Sequence, residues 1–174
     1  MTAAAILKEC SVFSTLRRSQ QEGIGALAIP EEHQAGSTLF IAGDSAGKFY
    51  VVEEGKVALQ MAPPKELGQS ATVRRITVDT AVPPEVLGWS AFVHPHVYTL
   101  TAVCLSATRV LAFDGPKLRR FLEDDTDTGY KVLSQLVQVV AGRLHDTRWV
   151  LIAERSAMPG PAPSRGKAAT DRPA

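Results

Sequence analysis

Between Val86 and Val103 the chain reads VLGWSAFVHPHVYTLTAV, and this stretch holds most of the residues that could do chemistry. Gly88 opens a short helical piece of Trp89, Ser90 and Ala91. A His-Pro-His knot follows at 94–96, and Tyr98 and Thr99 then begin a run that alternates as a strand does. Glycine lets a backbone approach a ligand closely. The N–H groups of a helix's first turn can hold an anion, and Ser90, Tyr98 and Thr99 offer hydroxyls. The stretch therefore reads as a pocket built to hold something small, and the expected ligand is a small molecule. Charge is missing, since no Lys or Arg occurs between Arg75 and Arg109. Trp89 and Tyr98 make such a pocket aromatic, which favours a flat neutral ligand or a cavity filled by its own side chains.

Other chemistry finds less support. His94 and His96 have no carboxylate close behind them, and the next histidine is His145. A zinc or iron site needs at least three protein ligands, so no metal is expected and His94-Pro95-His96 reads as a rigid loop tip. No G-x-S-x-G elbow supports serine catalysis. Cys10 and Cys104 make neither a disulfide framework nor a zinc motif; they read as buried free thiols in a reducing compartment. Glu85 lies three residues before Gly88. Arg74 and Arg75, adjacent on a strand, face opposite ways, so one of them could enter the interior as a cation. No catalytic residues are expected.

Composition narrows the partners. Hydrophobic residues make up 45% and charged residues 21% of 174, as in a soluble globular domain. The formal net charge of +1 comes from the C-terminal tail, where Arg155, Arg165, Lys167 and Arg172 outnumber Glu154 and Asp171. A near-neutral body lacks the basic surface that tracks phosphates, so nucleic acid is not expected. No run approaches the ~18 apolar residues of a membrane span. The N-terminal MTAAAILKECS, interrupted by Lys8 and Glu9, does not read as a signal peptide. A cytoplasmic protein is expected.

The elements that must position the pocket follow from periodicity. Ile6, Leu7, Cys10, Phe13 and Leu16 recur at roughly helical spacing. Short Val-, Phe- and Tyr-rich runs at about 37–42, 48–53 and 56–62 read as strands, with Gly55 in a tight turn at positive φ. PPKELGQS reads as a loop, and ATVRRITVD, YTLTAVCL and TRVLAFD as further strands. At Asp114 the chain turns helical, with Asp114 as N-cap and Pro116 in the first turn. A long helix is expected from about 128 to 153. Leu133, Val137, Val140, Leu144, Thr147 and Leu151 alternate spacings of four and three along it, which is a heptad seam. That seam either lies on the strands or pairs with its copy in a homodimer through 133–151. From Ala157 the chain becomes rich in Ala, Pro and Gly, so a domain over 1–156 and a disordered tail over 157–174 are expected.

The fold class is thus mainly β with flanking helices: an antiparallel β-roll or jelly roll with short N-terminal helices and a long C-terminal helix. This order of parts resembles the cyclic nucleotide-binding domain family. The resemblance rests on AGSTLFIAGDSAGKFYVVEEGKVAL, on VLGWSAFVHPHVYTLTAVCLSATRVLAFD at the place of the phosphate-binding cassette, on GPKLRRFLEDD and on the final helix. It implies a regulatory domain that holds a cyclic nucleotide and signals through its last helix. In that family a Glu after the cassette glycine takes the ribose hydroxyl, and an Arg further on pairs with the phosphate. Here Gly88 takes the glycine position, Trp89 the Glu position, Tyr98 the Arg position, Thr99 that of a small hydroxyl residue and Leu100 that of an alanine, so the resemblance implies Gly88, Trp89, Ser90, Ala91, Tyr98 and Thr99 as ligand-binding residues. Cyclic AMP or cyclic GMP binding is therefore expected to be weak or absent. Family transcription factors continue into a DNA-binding half; the 21 residues after Ala153 do not read as one, so a stand-alone domain is expected. Two alternatives stay open: an interaction or dimerisation module with an empty pocket, whose readout would be a partner protein, and a cupin-like metalloprotein. GWSAFVHPH resembles the opening of the cupin metal motif, although its Glu and later His are missing.

Overall fold

The computed structural model describes residues 3–62 and 75–157, with side chains to 153. The chain divides into two compact units, Met1–Ala141 and Gly142–Ala174. In the first, α1 (Ala3–Glu9) and α2 (Arg18–Gly25) precede the strands β1 (Ala28–His33), β2 (Thr38–Phe40), β3 (Lys48–Glu54), β4 (Val57–Met61), β5 (Ile76–Ala81), β6 (Val86–Leu87), β7 (Thr101–Cys104) and β8 (Thr108–Asp114). They form two antiparallel sheets of four, ordered β1-β8-β3-β6 and β2-β7-β4-β5. A 3-10 helix, Trp89–Phe92, leaves β6, and α3 (Gly115–Asp124) and α4 (Thr126–Ala157) close the chain. The expected β-roll with flanking helices is the observed fold. The loop expected at PPKELGQS, Arg74 and the tail after Ala157 lie outside the described residues.

Strand alternation divides the first unit into a helix side and a roll side. β3 is buried at Phe49, Tyr50, Val51 and Val52 alike, so both its faces are covered. Phe49 pairs with Phe113 across β8, and both meet Phe13 from the turns after α1, at centroid distances of 6.2 and 6.3 Å. The next pair, Tyr50 and Ala112, points to the opposite face. There Tyr50 stacks on Phe40 of β2. Period-2 alternation thus sends one aromatic of β3 to the helices and its neighbour toward the candidate pocket. Gly55, at φ 91°, makes the β3–β4 turn; a Cβ there would come within 2.5 Å of the Ala107 carbonyl oxygen.

Capping is read from local chemistry. The Asp114 side chain accepts from the Lys117 N–H at 2.9 Å, with Pro116 in the first turn of α3. One residue, Asp125, separates α3 from α4. Its carboxylate accepts from the Thr128 hydroxyl at 2.6 Å and the Thr128 N–H at 3.2 Å, and these bonds hold its pKa below the ordinary aspartate value. The first turn of α4 runs close beneath α3, because a Cβ at Gly129 would fall 2.4 Å from the Leu122 carbonyl oxygen.

The long helix packs through a different stripe from the heptad seam. Thr128, Val132 and Leu136 are buried and Val139 packs on the core, whereas Leu133, Val137 and Val140 are exposed. In the second unit Leu144 and Leu151 are exposed as well. Of the two readings of the seam, lying on the strands is excluded for its first-unit residues.

Two glycines of α4 give a sign test. Replacing a helical glycine by alanine ordinarily stabilises by about 1 kcal/mol. Gly142 has nothing within 4 Å of an added Cβ, so Gly142→Ala raises the melting temperature. Gly129→Ala lowers it, because the Leu122 carbonyl must move. Thermal melts followed by circular dichroism check both directions.

Candidate ligand pocket

The pocket is built where β6 ends. Val86 and Leu87 pair with Val51 and Tyr50, which fixes Gly88 beside the start of β3. Gly88 sits in the left-handed region at φ 75°, and a Cβ would meet the Lys48 carbonyl oxygen at 2.8 Å, with the Tyr98 and Tyr50 rings beyond it. Glycine is therefore required both by backbone and by space. The 3-10 helix turns Trp89 and Ser90 over a cavity that Phe40, Leu59, Gly88, Tyr98, Thr99 and Leu100 complete. Five of the six expected residues thus meet around one cavity. Ala91, the sixth, is fully buried and its side chain faces Gly115 at the head of α3. Phe40 and Leu59 were missed by sequence reasoning. Their signal was present in strand alternation, yet alternation does not say which distant strand lies opposite.

Tyr98 fills most of this space. It is 5% exposed, and its ring stacks on Phe40 with centroids 4.1 Å apart and planes 14° apart. Its hydroxyl donates to the Lys48 carbonyl oxygen at 2.8 Å and accepts from the Lys48 N–H at 3.0 Å. Burial raises the phenol pKa, against a smaller lowering by the Lys48 backbone bond. The free volume that remains is about 20 Å³, room for about one water molecule. Ligand pockets for drug-sized molecules run to hundreds of Å³.

The flanking loop is tied down. Tyr98 N–H donates to the Asp44 carbonyl at 3.0 Å, Gly43 N–H to the Tyr98 carbonyl at 2.8 Å, and Ala46 N–H to the His96 carbonyl at 2.7 Å. His94 and Pro95 are exposed, as a loop tip requires, but His96 is half-buried and belongs to the loop's wall. No group of three metal-binding side chains occurs among the described residues.

The lining side chains are all uncharged. Arg75 is exposed, and Glu85 accepts from the Val82 N–H at 3.1 Å within its own turn. A cation that sequence reasoning missed does reach the cassette: Arg119 of α3 donates to the Ala91 carbonyl oxygen. It thereby ties the 3-10 helix to α3 from behind. Phe92, at the helix's end, contacts Phe49 edge-on at 5.2 Å and lines a groove with Leu122, Tyr130 and Leu133.

The family model described as the cyclic nucleotide-binding domain matches residues 30–125, more than half of the chain. The chain belongs to the cyclic nucleotide-binding domain family. Domains of this family are regulatory rather than catalytic. Among solved structures, the N-terminal domain of a transcriptional regulator from Streptomyces coelicolor A3(2) is 27% identical, with a TM-score of 0.62 over 83% of this chain and 93% of that one. A cyclic nucleotide-binding domain from Methylobacillus flagellatus superposes with a TM-score of 0.74 at 14% identity, over 92% of this chain and 85% of that one. The catabolite activator protein of Thermus thermophilus gives 0.65 at 19% identity, covering 83% of this chain and 63% of that one. The last two establish the fold alone. No curated protein matches significantly.

Gly88→Ala tests the cassette's geometry. It must hold a positive φ and push against the Lys48 carbonyl, at a cost of about 1–3 kcal/mol. A urea unfolding curve with an unchanged midpoint would contradict the geometry.

Proposed function

We propose that this chain is a regulatory, non-catalytic domain that keeps the cyclic nucleotide-binding fold without charge recognition of a cyclic nucleotide. One observation carries the reading: Tyr98 stands stacked and hydrogen-bonded inside a pocket with no charged lining side chain. Losing a hydrogen bond to a charged partner costs ~1.5–3 kcal/mol, so losing both the Glu and the Arg contacts weakens binding by about two to four orders of magnitude. Gly88, Trp89, Ser90, Ala91, Tyr98 and Thr99 remain the region through which a small ligand would act. The buried free thiols Cys10 and Cys104 suit a reducing cytoplasm, burial raising the Cys10 pKa to about 11. No described helix is long and apolar enough to cross a membrane.

The output of this reading is the final helix. Its exposed stripe of Leu133, Val137, Val140, Leu144 and Leu151 has heptad spacing and is separate from the buried stripe of Val132 and Leu136. The helix thus packs through one face and pairs with a second copy through another, as a homodimer through 133–151. A downstream partner protein then reads the dimer's geometry. The likeness to the N-terminal domain of a transcriptional regulator supports a regulatory role.

Calorimetry with cyclic AMP and cyclic GMP is expected to show no binding in the micromolar range; a micromolar dissociation constant for either overturns the reading of the pocket. Sedimentation is expected to give a dimer for the wild type and a monomer for Leu144→Asp, which places unpaired charge in the seam. A wild type that is monomeric at high micromolar concentration removes the helix-pairing route.

A further inference from the structure

The pocket's polar fittings are those of a phenol. Phe40 offers a flat apolar face, itself stacked on Tyr50 at 5.9 Å. At the far end, the Lys48 N–H and carbonyl lie side by side and engage one hydroxyl as acceptor and donor together. A backbone donor and acceptor so placed satisfy a group that both gives and takes a hydrogen bond, and reject an anion, which cannot donate to the carbonyl. We infer that Tyr98 is a tethered occupant of the site, and that the site's recognition chemistry is that of a flat neutral ring carrying one hydroxyl or equivalent donor–acceptor group. The inference rests on the reading of a pocket without charge recognition and adds the class of ligand.

Tethering explains why the wild-type pocket is full. The Tyr98 backbone is fixed by Gly43 and Asp44, so the ring is delivered at high effective concentration and a free phenol competes poorly. A ligand of this class enters only as Tyr98 leaves. The loop pinned at 43–46 and the Arg119 bond to the Ala91 carbonyl keep the walls in place around the seat.

Chemical complementation tests the inference. Tyr98→Ala keeps Cβ and removes a phenol, so phenol itself is the probe and benzene its control without the hydroxyl. Phenol is expected to raise the melting temperature of Tyr98→Ala by several degrees and to leave the wild type without a stabilising shift, with benzene less effective than phenol. If Tyr98→Ala does not fold unaided, phenol is expected to restore its β-sheet circular dichroism. Tyr98→Phe keeps the ring and strands the Lys48 pair, so its melting temperature falls. Absence of any phenol-dependent stabilisation or refolding of Tyr98→Ala overturns the inference. Benzene equal to phenol, or Tyr98→Phe as stable as the wild type, overturns its polar half. Sedimentation of the same samples reports dimer assembly independently, and cyclic-nucleotide calorimetry on the wild type reports the charge reading, so each can fail alone.

Discussion

Everything near the pocket depends on β3 being covered on both faces. A strand with one wet face would carry alternating polar residues, but Phe49 through Val52 are all buried. The strict two-residue period then gives each neighbour a separate task. Phe49 anchors Phe13, Phe92 and Phe113. Tyr50 anchors Phe40, and through it Tyr98. A register slip of one residue would exchange these sets and dissolve both clusters. The same strand begins at Lys48, whose backbone holds the Tyr98 hydroxyl. One strand thus sets the helix layer, the aromatic stack and the polar end of the pocket.

At the pocket a left-handed glycine and a 3-10 helix are combined with an uncharged lining. Gly88 takes the left-handed conformation and the 3-10 helix follows it. With no cation in the lining, cohesion comes from ring stacking and from a hydroxyl paired twice. Arg119 supplies a positive charge, but to a carbonyl behind the helix, where it fastens the cassette to α3.

Local rules made much of this legible in the sequence. Asp114 before Gly115-Pro116 announced a capped helix, and the Asp114–Lys117 bond is that cap. Gly55 after two acids announced a turn at positive φ. Five of the six expected pocket residues line one cavity because they lie in two short runs of one loop, 88–90 and 98–99. What stayed hidden is non-local. Nothing in the neighbourhood of Tyr98 says that Phe40 will lie 4.1 Å away, since strand partners are set by the whole sheet. Arg119 reads as a surface residue of an amphipathic helix until the packing of α3 turns it to Ala91. The final helix carries two apolar stripes, Val132-Leu136-Val139 and Leu133-Val137-Val140, and both satisfy helical periodicity. Only the position of α3 decides which is buried, through the close approach that Gly129 allows. β6, two residues long, is too short for any period to reveal.

The chain has two tryptophans, and the division into compact units separates them. Trp89 lies in the first unit on the wall of the pocket, half-buried beside the aromatic stack. Trp149 lies in the second, 59% exposed and bonded through its indole N–H to His145 at 2.7 Å. The protein therefore carries its own pair of optical labels, one in each unit, the first beside the ring that fills the pocket. Their indoles differ in exposure, one half-buried and the other mostly in water, so a change at one is read apart from a change at the other.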